Sequence, residues 1–357
     1  MDICLTGSAY AVRIGPRLLK EAGPEAKAAA RTPKAALISD ANVAEHYLEP
    51  AMESLRTAGL AATPLVVPPG EASKSLSQVG QLCDAMLRMG LDRGSVVVAL
   101  GGGGVTDLAG FAAAIYMRGI AWIAVPTSLL AQVDASVGGK TAVNHPECKN
   151  LIGAFHQPAA VLCDTETLKT LPDEELRTGL AEVVKHAMIR DADLFDELER
   201  RADRILARDL SILEDIVARN VRIKAEVVAA DEREADLRRI LNYGHTIGHA
   251  IESLTGITHG RAVALGMMAE AHVARTRGLV GGAVVERQRK LIRRFGLPVA
   301  LEEPLDAARC LQIMQHDKKA EAGRLRFVLP ERIGAVRVVE DVTDDEIRSG
   351  LAALAET

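Results

Sequence analysis

In the first half of the chain, short apolar runs alternate with amphipathic segments. Runs of the kind found in buried strands cover residues 35–40, 64–67, 95–100 and 122–125. Apolar positions at helical spacing fill the intervals, over residues 43–58, 76–89 and 107–117. Such alternation is typical of a parallel, doubly wound sheet with helices on both faces. We therefore expect an α/β domain, whose ligands bind at the carboxyl ends of the strands.

After residue 172 the pattern changes to long, charged segments with helical spacing. They cover residues 174–188, 191–207, 210–229, 237–253, 262–277 and 283–295. Two short alternating runs, 325–329 and 334–339, then predict a hairpin. The chain has 357 residues, which is too long for a typical single core. The sequence predicts an α/β domain over residues 1–172 and a helical domain over residues 173–357.

Charge and hydropathy exclude some classes of function. The formal net charge is −5, whereas binding to nucleic acid relies on a basic surface. The most apolar segment, residues 110–126, is interrupted by Arg118 and is too short to span a bilayer. We therefore expect neither nucleic acid nor a membrane as the main partner.

The cysteines indicate a reducing compartment. Their number is odd and no CxxC pair occurs, which favours free thiols over a disulfide framework. The first residues show no basic region followed by an apolar run, as a signal peptide would. Both features predict a cytoplasmic location. The cysteines are Cys4, Cys83, Cys148, Cys163 and Cys310.

A glycine-rich turn lies between a predicted strand and a predicted helix. Gly101 to Gly104 are followed by Val105, Thr106 and Asp107. Glycines allow the backbone to approach a diphosphate, and a helix N-terminus offers free N–H groups. The spacing is not GxGxxG, and Thr106 or Asp107 could simply cap the helix. We favour binding of a nucleotide or phosphate here.

The segment 125–140 carries a second group of candidate residues. Asp134 lies within it, and Gly138 and Gly139 precede Lys140. A carboxylate, flexible backbone and a cation together suit a phosphorylated, hydroxylated small molecule. The alternative is a helix that ends at a C′ glycine.

The helical half contains a possible metal site. His245 and His249 are four residues apart, on one face of a helix, and His259 follows in a glycine-containing loop. Upstream, Glu182 and Lys185 share a helix face. One carboxylate with two imidazoles is a common catalytic zinc set, although Thr246 rules out the HExxH pattern. Alternatively, the histidines are ordinary helix residues and Glu182 only pairs with Lys185.

Further polar residues flank these histidines. Cations beside a metal motif suit an anionic ligand with several hydroxyls, although each residue alone is typical of a solvated surface. The residues are Lys224, Glu234, Arg238, Asn242, Lys318 and Lys319.

Together these motifs resemble the 3-dehydroquinate synthase family of the sugar phosphate cyclases. The resemblance extends from residues 39–42 through 69–74 to 317–319 and is strongest over 125–140 and 149–158; residues 241–249 and 259–260 complete it. It implies a Rossmann-like NAD-binding domain, an all-α metal-binding domain and an active site between them. It also implies conversion of 3-deoxy-D-arabino-heptulosonate 7-phosphate to 3-dehydroquinate and phosphate.

The resemblance also implies the roles of single residues. Glu182, His245 and His259 would bind Zn²⁺ or Co²⁺. NAD would contact Asp40, Asn42, Glu71, Lys74, Gly102, Gly103, Gly104, Val105, Asp107, Thr127, Ser128, Lys140, Lys149, Thr167, Leu168, Lys169 and Thr170. The substrate would contact Arg118, Asp134, Lys140, Asn150, Lys185, Lys224, Arg238, Asn242, His249, Lys318 and Lys319. Catalytic roles would fall to His249, Lys185, Lys140, Asn150 and Glu234.

Arg118 resembles a residue that reaches the substrate phosphate of the partner subunit, which implies a homodimer. Departures from the family pattern are Gly104, Thr106, the pair Glu147 and Cys148, and Arg261. The alternatives are a sibling cyclase (aminodehydroquinate, 2-deoxy-scyllo-inosose or valiolone type), a metal-dependent polyol dehydrogenase, and a non-catalytic binding protein.

Overall fold

A computed structural model describes residues 2–5, 8–146, 148–231, 237–316 and 325–355. These residues divide into two compact units. The first contains residues 1–172 and 213–225, and the second contains residues 173–212 and 226–357. Among the described residues, no helix has the length and apolar character needed to cross a bilayer.

The first unit is built on a seven-stranded sheet. Its strands are β1 (Asp2–Leu5), β2 (Ser8–Gly15), β3 (Lys34–Asp40), β4 (Ala61–Val67), β5 (Val96–Gly101), β6 (Ala121–Pro126) and β9 (Ala160–Asp164). Their order across the sheet is β1-β2-β9-β6-β5-β3-β4. Only β1 is antiparallel to its neighbour, and the other pairs in this sheet are parallel. The predicted parallel sheet is confirmed, and β1, β2 and β9 extend it.

The helices of this unit follow its strands along the chain. They are α1 (Ala22–Ala29), α2 (Ala41–Thr57), α3 (Leu76–Arg88) and α4 (Gly103–Ile115). Asp40 caps α2 by accepting the N–H of Val43, and Ser75 caps α3 by accepting that of Gln78. Every residue of β5 is buried, because helices cover both faces of a parallel sheet. A separate antiparallel hairpin is formed by β7 (Lys140–His145) and β8 (Cys148–Phe155).

The second unit is mainly helical. Its elements are α5 (Asp173–Arg190), α6 (Ala192–Leu206), α7 (Leu210–Ala230), α8 (His245–Thr255), α9 (His259–Thr276), α10 (Gly282–Arg294), α11 (Ala307–His316) and α12 (Asp344–Ala352). Residues 213–225 of α7 belong to the first unit. The predicted hairpin is present as β10 (Phe327–Arg332) and β11 (Ala335–Val339).

Three sequence-based boundaries were wrong. The helix predicted over residues 237–253 is instead a 3₁₀ turn, Leu237–Asn242, followed by α8. Gly244 separates them because its φ of 78° is left-handed, which ends regular helix. Helix α4 begins at Gly103, not at Asp107. His259 is the first residue of α9 and not part of a loop.

Candidate active site

In the first unit, several of the predicted NAD-binding residues lie at the carboxyl end of the sheet. Asp40, Gly101 and Pro126 end three parallel strands, and Thr127 and Ser128 follow the last of them. The carboxyl ends of parallel strands are where doubly wound sheets bind ligands. The sheet therefore brings these residues to a single edge.

The glycine-rich turn forms the start of α4. Gly102 is the N-cap residue, and its carbonyl accepts the N–H of Thr106 at 3.0 Å. A Cβ on Gly101 would lie 2.6 Å from Cβ of Val105, so packing requires glycine there. Thr106 is buried and its hydroxyl donates to the Gly103 carbonyl at 3.0 Å. The helix therefore accommodates the threonine that departs from the family pattern, because its hydroxyl has a partner within the helix.

A polar network connects Lys74 with other predicted site residues. Its ammonium donates to Asp107 at 2.8 Å and to the side-chain oxygen of Asn150, and lies 3.8 Å from Glu71. Burial lowers the pKa of Lys74, but the carboxylates of Asp107 and Glu71 outweigh this and raise it. Lys74 is therefore a buried, charged group. The structure brings together residues that the resemblance assigned to NAD and to substrate.

Sequence reasoning missed Asn144, which holds this network in place. Its amide donates to Glu71 at 2.7 Å, and its side-chain oxygen accepts the N–H of Asn150 at 2.9 Å. The backbone of Asn150 is left-handed, with φ of 55°, a conformation that few residues other than glycine adopt without support. Asn144 lies outside the predicted segment 125–140, and a single asparagine gives no sequence signal for this role.

The segment 125–140 contains a π-helical turn, Ala131–Ala135, which presents Asp134. Lys224 of α7 donates to both the carboxylate and the backbone carbonyl of Asp134. Gly138 and Gly139 then adopt φ of 97° and 64°, and the exposed Lys140 begins β7. The alternative of a helix with a simple C′ glycine does not describe this segment.

The remaining predicted residues of this unit fall into two groups. Asn42, Lys149, Lys169 and Thr170 are exposed, and Arg118 is exposed on the turn after α4. Thr167 and Leu168 are buried. The Thr167 hydroxyl donates to the Asp164 carbonyl at 2.7 Å, so it also stabilises the end of β9.

In the second unit, Glu182, His245 and His259 converge from three helices. One ligand atom from each lies within 4.8 Å of the others. Oε1 of Glu182 is 3.4 Å from Nε2 of His245 and 3.2 Å from Nε2 of His259. One carboxylate oxygen and two imidazole nitrogens are donors that suit zinc, so the residues present fit this metal.

The protonation of these groups follows from their surroundings. Burial favours the neutral form of Glu182, but Lys185 and His245 hold its pKa well below the ordinary value. Burial lowers the pKa of His245 to about 3, which leaves a neutral imidazole. Burial also lowers the pKa of His259, but the carboxylates of Glu182 and Glu252 outweigh this and raise it to about 9.

The other predicted residues of this unit are distributed around the helices. The buried Lys185 forms an ion pair with Glu182, one helical turn away. The ring of His249 lies 5.2 Å from that of His245 and 6.0 Å from that of His259. Arg238, which is buried, and Asn242 lie on the 3₁₀ turn before α8. Glu234, Lys318 and Lys319 lie outside the described residues, as does Glu147.

A buried carboxylate that the sequence gave no reason to select fixes the start of α8. Glu270 of α9 accepts the N–H of Gly244, the N-cap residue of α8, at 2.7 Å, and its carboxylate lies near the N–H groups of Thr246 and Ile247. Burial raises its pKa to about 8, although these hydrogen bonds oppose the shift. By satisfying N–H groups that a helix leaves free, Glu270 positions the turn that carries His245.

Comparison with known proteins identifies the family. Models of the 3-dehydroquinate synthase N-terminal and C-terminal domains match residues 64–178 and 179–320. The chain belongs to the 3-dehydroquinate synthase family. A 3-dehydroquinate synthase of Symbiobacterium thermophilum is 49% identical over 97% of this chain and 98% of its own length. One of Nostoc punctiforme is 45% identical over 99% of both chains.

Solved structures of sibling cyclases share the fold of this family member. The 2-epi-5-epi-valiolone synthase of Streptomyces hygroscopicus, solved with NAD⁺ and Zn²⁺, has a TM-score of 0.90 at 32% identity, over 99% of this chain and 98% of its own. A 2-deoxy-scyllo-inosose synthase has a TM-score of 0.88 at 28% identity, over 98% of both chains. A butanol dehydrogenase of Thermotoga maritima, at 15% identity and a TM-score of 0.71 over 97% of both chains, shares only the fold.

Proposed function

We propose that this chain is a 3-dehydroquinate synthase, which forms 3-dehydroquinate and phosphate from 3-deoxy-D-arabino-heptulosonate 7-phosphate. The reaction belongs to the shikimate pathway of aromatic amino acid biosynthesis. The observation that carries the proposal is the convergence of Glu182, His245 and His259 in a chain of this family. Sibling cyclases are less similar in sequence, at 27–32% identity for the solved structures against 44–49% for the curated synthases.

For the cofactors, we propose that the first unit binds NAD and that the second binds zinc, with cobalt as a substitute. The sibling structures support this, because one was solved with NAD⁺ and Zn²⁺ and another with NAD⁺ and Co²⁺. When bound, the metal supplies Lewis acidity to a substrate hydroxyl, and NAD accepts and returns a hydride. In the first unit, the start of α4 offers N–H groups to the diphosphate, and the buried Lys74 adds a cation beside it.

The substrate undergoes several steps that need little further chemistry from the protein. Oxidation of one hydroxyl to a ketone acidifies the hydrogen on the neighbouring carbon, and phosphate then leaves by β-elimination. Reduction restores the hydroxyl, the ring opens, and an intramolecular aldol reaction closes the carbocycle. The protein mainly orients the substrate and stabilises charge through these steps.

We propose that several residues of this chain perform that work. His249 moves the proton of the reacting hydroxyl, since an imidazole nitrogen can accept a proton and release it again. Lys185 and Arg238 are buried cations suited to an anionic substrate, and the paired Asp134 and Lys224 suit its hydroxyl groups. Lys140, Asn150 and Asn242 complete the proposed set within the described residues, whereas Glu234, Lys318 and Lys319 remain sequence-based proposals.

One assay tests the function. The protein is incubated with the heptulosonate phosphate, NAD and Zn²⁺, and both phosphate and 3-dehydroquinate are measured. We expect equal amounts of both products without accumulation of NADH, because the hydride returns to the substrate. Glucose 6-phosphate is the comparison substrate for an inosose synthase, and the amino analogue of the heptulosonate is tested in competition. Absence of phosphate release from the heptulosonate, with NAD and metal bound, contradicts the proposal.

We also propose a cytoplasmic homodimer in which Arg118 serves the partner's site. The scattered free thiols support a reducing compartment. Arg118 is exposed and directly follows a turn that also exposes the apolar Ile115 and Met117, which are 46% and 36% exposed. Met117 and Arg118 both have left-handed backbone, with φ of 50° and 69°. Strained backbone in an exposed turn is often associated with function, and an apolar surround suits a subunit contact.

Complementation tests this arrangement. Arg118→Ala and His245→Ala are each expected to be inactive. A refolded equimolar mixture should regain about a quarter of wild-type activity, because half of the dimers are mixed and each mixed dimer has one intact site. Each variant refolded alone under the same conditions serves as the blank. An inactive mixture in which mixed dimers are demonstrated by mass would place Arg118 in its own subunit's site.

A further inference from the structure

Helix α8 carries a third ionisable group besides His245 and His249. Glu252 lies two turns after His245 and one turn after His249, so all three share one face of the helix. Its carboxylate is only 10% exposed, and Oε2 lies 3.3 Å from Nδ1 of His259. The helix that supplies one proposed metal ligand therefore also contacts the ring of another.

The two nitrogens of His259 face different carboxylates. Nε2 lies 3.2 Å from Glu182, on the side of the proposed metal, and Nδ1 faces Glu252. A neutral imidazole binds a metal through its unprotonated nitrogen, while the other nitrogen carries a proton that needs an acceptor. Glu252 is placed to accept that proton in a hydrogen bond.

His245 has the same arrangement with a different acceptor. Its Nε2 faces Glu182, and its Nδ1 lies 3.1 Å from the backbone carbonyl of Tyr243. The side chain of His245 is 11% exposed, whereas that of His259 is 30% exposed. Packing therefore restrains the ring of His259 less, and its orientation depends more on Glu252.

We propose that Glu252 is the positioning residue of the metal site: it fixes His259 with the proton on Nδ1 and directs Nε2 to the metal. The proposal rests on the metal-binding part of the proposed function. Acceptors of this kind fix the ring of a metal-bound histidine and strengthen it as a ligand. Glu252 also lies near His249 and His259 in a group that could itself hold a metal. The outer role is favoured because a neutral imidazole has one free nitrogen, and binding a second ion through Nδ1 would require loss of the remaining ring proton.

Metal binding without substrate tests the proposal. Metal-free wild type, Glu252→Gln and Glu252→Ala are titrated with Zn²⁺ against a chromogenic chelator. We expect affinity to fall by roughly tenfold in the glutamine variant, which keeps a neutral acceptor, and by up to about 100-fold in the alanine variant. The absorption bands of bound Co²⁺ should shift in both variants, since they report ligand geometry. Binding should remain at one ion per chain.

A matched control is Glu286→Gln on α10, whose carboxylate is 53% exposed and lies near Arg289 and Lys290. It should leave affinity and the Co²⁺ bands unchanged, and NAD binding should be normal in every variant. If the alanine variant fails to fold, the glutamine variant decides. The proposal is overturned if Glu252→Gln keeps the Zn²⁺ affinity and the Co²⁺ absorption bands of wild type. It is also overturned if wild type binds two ions per chain and the Glu252 variants bind one. If wild type does not form 3-dehydroquinate, the proposed function is contradicted, but the metal titrations still test the role of Glu252.

Discussion

Replacing His245 by alanine is expected to abolish 3-dehydroquinate formation while NAD binding is retained. Its Nε2 is one of the three ligand atoms that converge within 4.8 Å, and two ligands hold zinc poorly. Lewis-acid stabilisation contributes several kcal/mol, and about 1.4 kcal/mol corresponds to a tenfold change in rate. We therefore expect kcat/KM to fall roughly 10³-fold or more, with bound zinc lost in metal analysis.

The control for this prediction is His272→Ala. His272 lies on α9, and its Nε2 is 3.0 Å from the hydroxyl of Ser349, within hydrogen-bonding distance. This variant should keep its zinc and its activity. NAD affinity, measured by fluorescence titration, should be unchanged in both variants because His245 belongs to the second unit. Retention of stoichiometric zinc by His245→Ala would contradict the proposed ligand set.

Replacing Gly266 by alanine is expected to destabilise the second unit by about 3 kcal/mol or more. A Cβ on Gly266 would lie 1.9 Å from the carbonyl oxygen of Gly244 and 2.8 Å from its carbonyl carbon. Both contacts are with backbone, so relief requires α8 and α9 to separate. Overpacking that displaces backbone costs at least as much as overpacking relieved by side chains. The same separation would disturb the hydrogen bonds of Glu270 to the start of α8.

Urea unfolding, monitored by the far-ultraviolet circular dichroism of the helices, measures the change in the free energy of unfolding. The fluorescence of Trp122, the single tryptophan of the chain, follows the first unit separately. Gly282→Ala is the matched control, because a Cβ there meets no atom within 4 Å. It should be neutral or slightly stabilising, by up to about 1 kcal/mol. A Gly266→Ala protein as stable as the control would show that the two helices tolerate a wider spacing.

The structure explains why some boundaries could be predicted from the sequence and others could not. Apolar runs such as 95–100 identify a strand, because every residue of β5 is buried between helices. The break before α8 depends on the left-handed Gly244 and on its contact with Gly266, 22 residues later. A periodic pattern of apolar residues contains no information about such a contact. Similarly, spacing shows that His245 and His249 share a helix face but cannot show which of them approaches Glu182.

The sequence by itself determined the family, the parallel sheet, the helical half and the chemical types of the metal ligands. These properties follow from local periodicity and from motifs that lie within short segments. Only the tertiary structure decided that Asn144 supports Asn150, that Glu270 holds the start of α8 and that Glu252 faces His259. The physical reason is that a buried polar group needs partners, and folding brings those partners from segments that no local pattern connects.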